Sequence, residues 1–163
     1  PAAIPTGKVL QVVSVTKTDT QVTSTAVFVD VSGLCLSITP SSSSYKVFLV
    51  LDINIDGSAR YMGVKFVRGS TDIGIGDADS NRTRLTISSM RNNSATADHY
   101  VMHNSSASFL DTPNTTSATT YKIQAGLHYG NAQTLYINRP NTDDDATYIT
   151  RGISTLTAYE IAG

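Results

Sequence analysis

TTYKIQAGLHYGNAQTLYINR, residues 119–139, carries its apolar side chains at every second position. Tyr121, Ile123, Ala125, Leu127 and Tyr129 fall on one side of an extended chain, and Thr120, Lys122, Gln124, Gly126 and His128 on the other. That is the two-residue period of a half-buried strand. Gly130-Asn131 then offers a place for positive φ, and Leu135 and Ile137 resume the alternation with Tyr136 opposite them. The stretch predicts an antiparallel hairpin.

The same grammar extends outward. Tyr45 to Ile55 is the most apolar segment, with Val47, Leu49, Leu51, Ile53 and Ile55 on one face and Phe48 and Val50 on the other, so a central strand is expected there. Asp56-Gly57 marks a turn, after which Arg60 to Arg68 returns. Ala26 to Val31 and Leu34 to Ile38 predict two short strands joined by Ser32-Gly33. Near the start, Val9, Gln11, Val13 and Val15 alternate with Lys8, Leu10, Val12 and Ser14; both faces are largely apolar, which predicts a strand covered on both sides. Thr16 to Thr25 reads as a loop or sheet edge, Gly69 to Asn81 as a long loop, and Leu85 to Met90 and Ala107 to Leu110 as short extended pieces. Ile153, Thr155, Thr157 and Tyr159 alternate against Ser154, Leu156, Ala158 and Glu160 in the last element. Many short strands between polar turns predict an all-β fold, an antiparallel jelly-roll-like β-sandwich with no significant helix. Residues 1–6, with Pro1 and Pro5, read as an N-terminal connector, and residues 7–163 as one β-sandwich domain. A chain of about 150 residues buries roughly 70% of its unfolded surface, so no disulfide or metal staple is required.

Composition agrees. Ser and Thr make up about a quarter of the chain and Glu160 is the single glutamate, so β-formers outweigh helix formers. With a net charge of −1 and 15% charged residues, there is no electrostatic footprint for nucleic acid or an anionic membrane; Arg82, Arg84 and Arg91 are the only local basic cluster and read as solvated. No apolar run approaches the ~20 residues of a membrane span. Cys35, the only cysteine, lies between Leu34 and Leu36 and is expected to be a small buried core residue.

No catalytic constellation accompanies this pattern. Glycosidase chemistry needs two facing carboxyl groups, but the aspartates cluster in turns and Glu160 is the fourth residue from the end. Gly74-Ile75-Gly76 lacks the third glycine and the strand-to-helix setting of a dinucleotide site. Asp72, Asp77 and Asp79 are calcium-type ligands without EF-hand spacing, and Asp143, Asp144 and Asp145 form an acidic loop. Both sets mark candidate binding loops, with no metal or other cofactor expected. His99 and His103 flank Val101 on one face but lack a third ligand nearby. The Asn-x-Ser/Thr triplets at Asn81, Asn92, Asn104 and Asn114 arise easily in so hydroxyl-rich a chain.

Several stretches in order carry a family resemblance: GKVLQVV at 7–13, LSITP at 36–40, FVRGST at 66–71, FLDTP at 109–113 leading into TTYK at 119–122, and RGISTLTAYEIAG at 151–163. Together they resemble a domain recurrent at the C-terminal end of tail-fibre-like or structural virion proteins of tailed phages of marine and cyanobacterial hosts. The resemblance spans nearly the whole chain. It implies a homotrimer of C1q/TNF-like jelly rolls on an N-terminal stalk, exposed on the virion surface and bound to other virion proteins of the fibre shaft, baseplate or capsid. Two placements follow from it: a tail-fibre tip that meets a host surface glycan or outer-membrane protein, or a capsid decoration protein of the cement, knob or head-fibre kind. The family brings no catalytic residues, so no enzymatic activity is expected. The doubly apolar first strand and Tyr61, Tyr121, Tyr136 and Tyr159 are the expected subunit interface.

Overall fold

The computed structural model describes residues 7–25, 27–58, 61–89, 100–129 and 133–163. Along them run β1 (Val9–Lys17), β2 (Gln21–Thr23), β3 (Val29–Ile38), β4 (Lys46–Gly57), β5 (Met62–Arg68), β6 (Thr71–Ile73), β7 (Ile87–Ser89), β8 (His103–Asp111), β9 (Thr119–Leu127), β10 (Leu135–Ile137) and β11 (Ser154–Ile161). No α-helix occurs among the described residues.

The strands form two antiparallel sheets. In the first, β4 is central: β8 pairs along one edge, and β11 and then β10 share the other, with β1 and β2 outside them. In the second, β9 lies between β3 and β5, and β6 and β7 share the far edge of β5. Of the eight principal strands, the first, eighth, third and sixth in chain order (β1-β11-β4-β8) face the second, seventh, fourth and fifth (β3-β9-β5-β7). This is the jelly-roll order, and the expected fold class is the observed one.

Alternation explains why these segments are strands. Val47, Leu49, Leu51, Ile53 and Ile55 of β4 point inward with Leu156 and Ala158, and meet Val64, Phe66, Tyr121, Ile123, Ala125 and Leu127 of the facing sheet in one core. Both inner faces are apolar, so a slip of one residue in either sheet would carry its entire apolar set into water.

Polar latches close the two ends of the sandwich. At the end where β4 starts, Asp111 is buried; both its oxygens lie 2.9 Å from Arg68 Nη1 and Oδ2 accepts the Tyr121 hydroxyl at 2.6 Å. That joins β8 of one sheet to β5 and β9 of the other. Buried Glu160 nearby accepts the Ser41 amide at 2.5 Å. Where β10 gives way to the 138–153 excursion, buried Asn138 takes a left-handed φ of 61°, which asparagine tolerates better than most residues. Its Nδ2 donates to the Lys17 and Asp19 carbonyls at 2.9 and 3.0 Å, and its Oδ1 accepts from Ser154 Oγ at 2.6 Å.

Several expectations need correction. Ser32-Gly33 is not a hairpin turn: β3 runs through it, and Gly33 at φ 82° is the left-handed residue of a bulge between Asp30 and Cys35. The 69–81 loop contains β6, which folds back on β5 through Gly69-Ser70. Cys35 is exposed, because Leu34 and Leu36 both point into the core and the residue between them must point out. Tyr121 is fully buried with its hydroxyl on Asp111, so it cannot touch another subunit. Strand β1 is a sheet edge with Val9, Leu10 and Val12 exposed, not covered on both sides within the chain. The 119–139 stretch is not a hairpin: β9 pairs with β3 and β5 in one sheet and β10 with β4 and β2 in the other, so the chain crosses between sheets there. Asp56-Gly57, expected as a turn, still belongs to β4. The connector at 1–6, the Gly130-Asn131 turn, the 91–96 turn, His99, Arg91 and Asn92 lie outside the described residues.

Candidate functional site

Two regions of the surface are built differently from the rest. The first is the outward face of the β4-centred sheet. Register places Val12 beside Tyr159, Tyr159 beside Phe48 and Phe48 beside Leu110, so four large side chains cross the sheet in one row. All four sit at outward positions. Val12 is 55% and Leu110 45% exposed, Leu10 adds a further 42% exposed apolar residue at the β1 bulge, and the Phe48 and Tyr159 rings are 6.2 Å apart. The neighbouring row, Ser14-Thr157-Val50-Ser108, is polar except for Val50, with Ser14 and Thr157 bonded at 2.8 Å. At the opposite end the same face is covered by the chain itself: the 138–153 excursion lies over it, with the Asn141 amide on Asp56 Oδ2 at 2.6 Å and Asn54 Nδ2 on the Ile153 carbonyl at 2.6 Å.

The second region is a cleft of about 920 Å³ along the β5/β7 edge of the other sheet, at the end where β4 finishes. One wall is aromatic. Tyr61 packs edge-on against His128 at 5.7 Å and Tyr129 at 5.1 Å between ring centres, and Tyr129 remains 69% exposed. The other wall comes from the 76–88 segment, with Asp77, Asn81, Arg82, Thr83 and Arg84. Arg84 Nε donates to the Gly76 carbonyl at 2.6 Å and the Gly76 amide donates to the Leu85 carbonyl, which holds that segment in shape. Burial pushes the His128 pKa below its usual value, so the ring is neutral at neutral pH. Its Nε2 is buried with no hydrogen-bond partner among the described residues.

The residues singled out by sequence are dispersed. Asp72 pairs with Lys65 at 2.7 Å, Asp79 with Arg82 at 3.0 Å, and Asp77 lines the cleft. Asp143 is held by Arg139 at 3.0 Å and by Arg151, while Asp144 and Asp145 are exposed beside it. Among the described residues no three His, Cys, Asp or Glu side chains converge as metal ligands. The four tyrosines occupy four places: Tyr159 on the open face, Tyr136 under the Arg139 guanidinium at 4.3 Å, Tyr61 in the cleft wall and Tyr121 in the core. Sequence reasoning missed Phe48, Leu110 and Val12 as a set. Their outward phase was readable, but the row exists only once three strand registers are known.

Fold and surface define a jelly-roll domain with an apolar face that no described residue covers and a mixed cleft. No protein-family model matches the sequence, and no curated protein matches it.

Proposed function

We propose that this chain is a structural domain of a tailed-phage virion surface, a homotrimeric tail-fibre tip that contacts the host. The observation that carries the reading is the apolar row Val12-Tyr159-Phe48-Leu110 across the open face of the β4-centred sheet. Full burial of such a side chain contributes about 1.5–3 kcal/mol, so covering Val12 and Leu110, each about half exposed, and the less exposed Phe48 and Tyr159 contributes about 2–4 kcal/mol per protomer, which helps offset the cost of association. Three copies that turn this face toward a common threefold axis cover one another's rows, and the closed ring treats every copy equally. Position supports a tip. The row and the start of β1 share one end of the sandwich while the cleft lies at the other, so a stalk entering through β1 leaves the cleft pointing outward.

Light scattering on the purified chain is expected to give three times the 17.4 kDa chain mass. Val12→Glu with Leu110→Glu is expected to give monomers with an unchanged strand-dominated spectrum, since both side chains are exposed in the single chain. On the particle, labelled antibody should mark the fibre ends. A monomer at every concentration removes the trimer, and label spread over the capsid shell in hundreds of copies removes the fibre tip.

A further inference from the structure

The cleft beside Tyr129 offers chemistry that neither the fold nor the subunit contact uses. A tyrosine 69% exposed against an edge-packed partner leaves one ring face open to solvent. The edge-on packing of Tyr61 fixes the ring without covering that face. Opposite stand an amide, hydroxyls and guanidinium groups at Asn81, Thr83, Arg82 and Arg84. Such an amphipathic pair of walls matches a pyranose, which has one face of C–H bonds and a rim of hydroxyls; C–H bonds carry the partial positive charge that the negative face of an aromatic ring attracts. A nucleobase would want two parallel rings, and the 72° angle between Tyr61 and Tyr129 gives no such slot.

Charge narrows the class. Arg82 is neutralised by Asp79 at 3.0 Å, leaving Arg84 and Asp77 as one cation and one anion in the lining, with His128 neutral. A phosphorylated or uronic-acid ligand would meet no net positive field. The volume of about 920 Å³ lies at the upper end of the range for ligand clefts, about 300–1,000 Å³, so it takes more than one sugar ring.

We infer that this cleft binds an uncharged oligosaccharide, with one pyranose stacked on Tyr129 and its hydroxyls held by Arg84, Asn81 and Asp77. The inference deepens the host-contact reading and rests on it only for the source of the sugar.

The test is saturation-transfer NMR on the full chain with a fixed panel of neutral oligosaccharides built from glucose, galactose, mannose, rhamnose and N-acetylglucosamine, each beside an acidic counterpart. The expected result is transfer to the ring C–H protons of at least one neutral sugar. Because the chain contains eight tyrosines and no tryptophan, titration is followed by tyrosine fluorescence. Tyr129→Ala is expected to weaken binding about tenfold or more, as truncating an aromatic anchor does; Arg84→Ala weakens it, while Tyr148→Ala, an exposed tyrosine outside the cleft lining, does not. Absence of transfer across the neutral panel, binding confined to acidic sugars, or affinity unchanged in Tyr129→Ala overturns the inference. Light scattering on the same samples separates this from the oligomer: a trimer that binds no sugar sinks the cleft assignment alone, and a sugar-binding monomer sinks the trimer alone.

Discussion

Tyr121→Phe removes one oxygen from the buried latch at one end of the sandwich and leaves the ring in place. The hydroxyl donates to Asp111 Oδ2 at 2.6 Å in a fully buried setting, and Asp111 keeps its contacts to Arg68 Nη1 at 2.9 Å after the change. No cavity the size of a side chain opens, so the cost is that of a hydrogen bond to a charged acceptor, about 1.5–3 kcal/mol. For a domain of this length each kcal/mol lowers Tm by about 2–4 °C, which predicts a fall of about 3–12 °C in a thermal melt at fixed chain concentration. The same hydroxyl makes a second, independent prediction. Burial, then the hydrogen bond and charge of Asp111, push its pKa well above the usual tyrosine value. A group whose pKa is raised on folding stabilises fully below its unfolded pKa, about 10, and that stability drains as pH climbs above it because the unfolded chain sheds the proton first. Urea midpoints measured from pH 8 to 11 should therefore fall more steeply above pH 10 in the parent than in Tyr121→Phe. A variant within 0.5 kcal/mol of the parent at neutral pH, or parallel alkaline slopes, would show that the buried hydroxyl does not tie the two sheets together.

Gly126→Ala is expected to destabilise by about 1–3 kcal/mol in urea unfolding, since its Cβ would stand 2.9 Å from Phe28 Cα and 3.0 Å from the Val27 carbonyl, both backbone atoms that cannot swing aside. Asn138→Ala leaves the Lys17 and Asp19 carbonyls and Ser154 Oγ without their partner and forces a left-handed φ on alanine; a loss of about 2–4 kcal/mol is expected, and Asn138→Gly should restore only the backbone share. For His128, burial lowers the folded pKa, so the unfolded chain takes the proton more readily and stability falls as pH drops below about 6.5. Unfolding midpoints between pH 7.5 and 5 should show that fall, and His128→Phe should flatten it.

The alternation of β4, β9 and β11 was legible because both inner faces are apolar and strand period two is rigid. Tyr45 to Ile55 came out central for that reason. What failed in the sequence were places where one local rule had two outcomes. Ser32-Gly33 satisfies a turn and a bulge alike, and only the pairing of β3 with β9 decides between them. Leu34-Cys35-Leu36 looks like a buried run, yet period two turns the middle residue outward once the flanking leucines are committed inward. Tyrosine is as much a core residue as an interface residue; Tyr121 went inward because Asp111, ten positions earlier in the chain, satisfies its hydroxyl. The cleft was hidden for a further reason. Tyr61, the 76–88 segment and Tyr129 are distant in sequence and meet only because β5 lies between β9 and the β6/β7 edge.

The two unpartnered regions divide the molecule in a way that bears on how such a domain works. The apolar row belongs to the β1-β11-β4-β8 sheet at the end where β4 begins, and the cleft to the facing sheet at the end where β4 finishes. Between them lies a core in which every inward position of β4 from Val47 to Ile55 is fully buried. Close-packed interiors resist small displacements, so neither region can be reshaped cheaply by changes at the other. In the proposed trimer the contact constrains β1, β4, β8 and β11, whereas the loop from Gly74 to Thr86, which pairs with no described neighbouring strand except at its ends, is free of that constraint. The loop that shapes the cleft joins β6 to β7 within the β3-β9-β5 sheet, so the thickness of the sandwich stands between it and the open face of the β4-centred sheet.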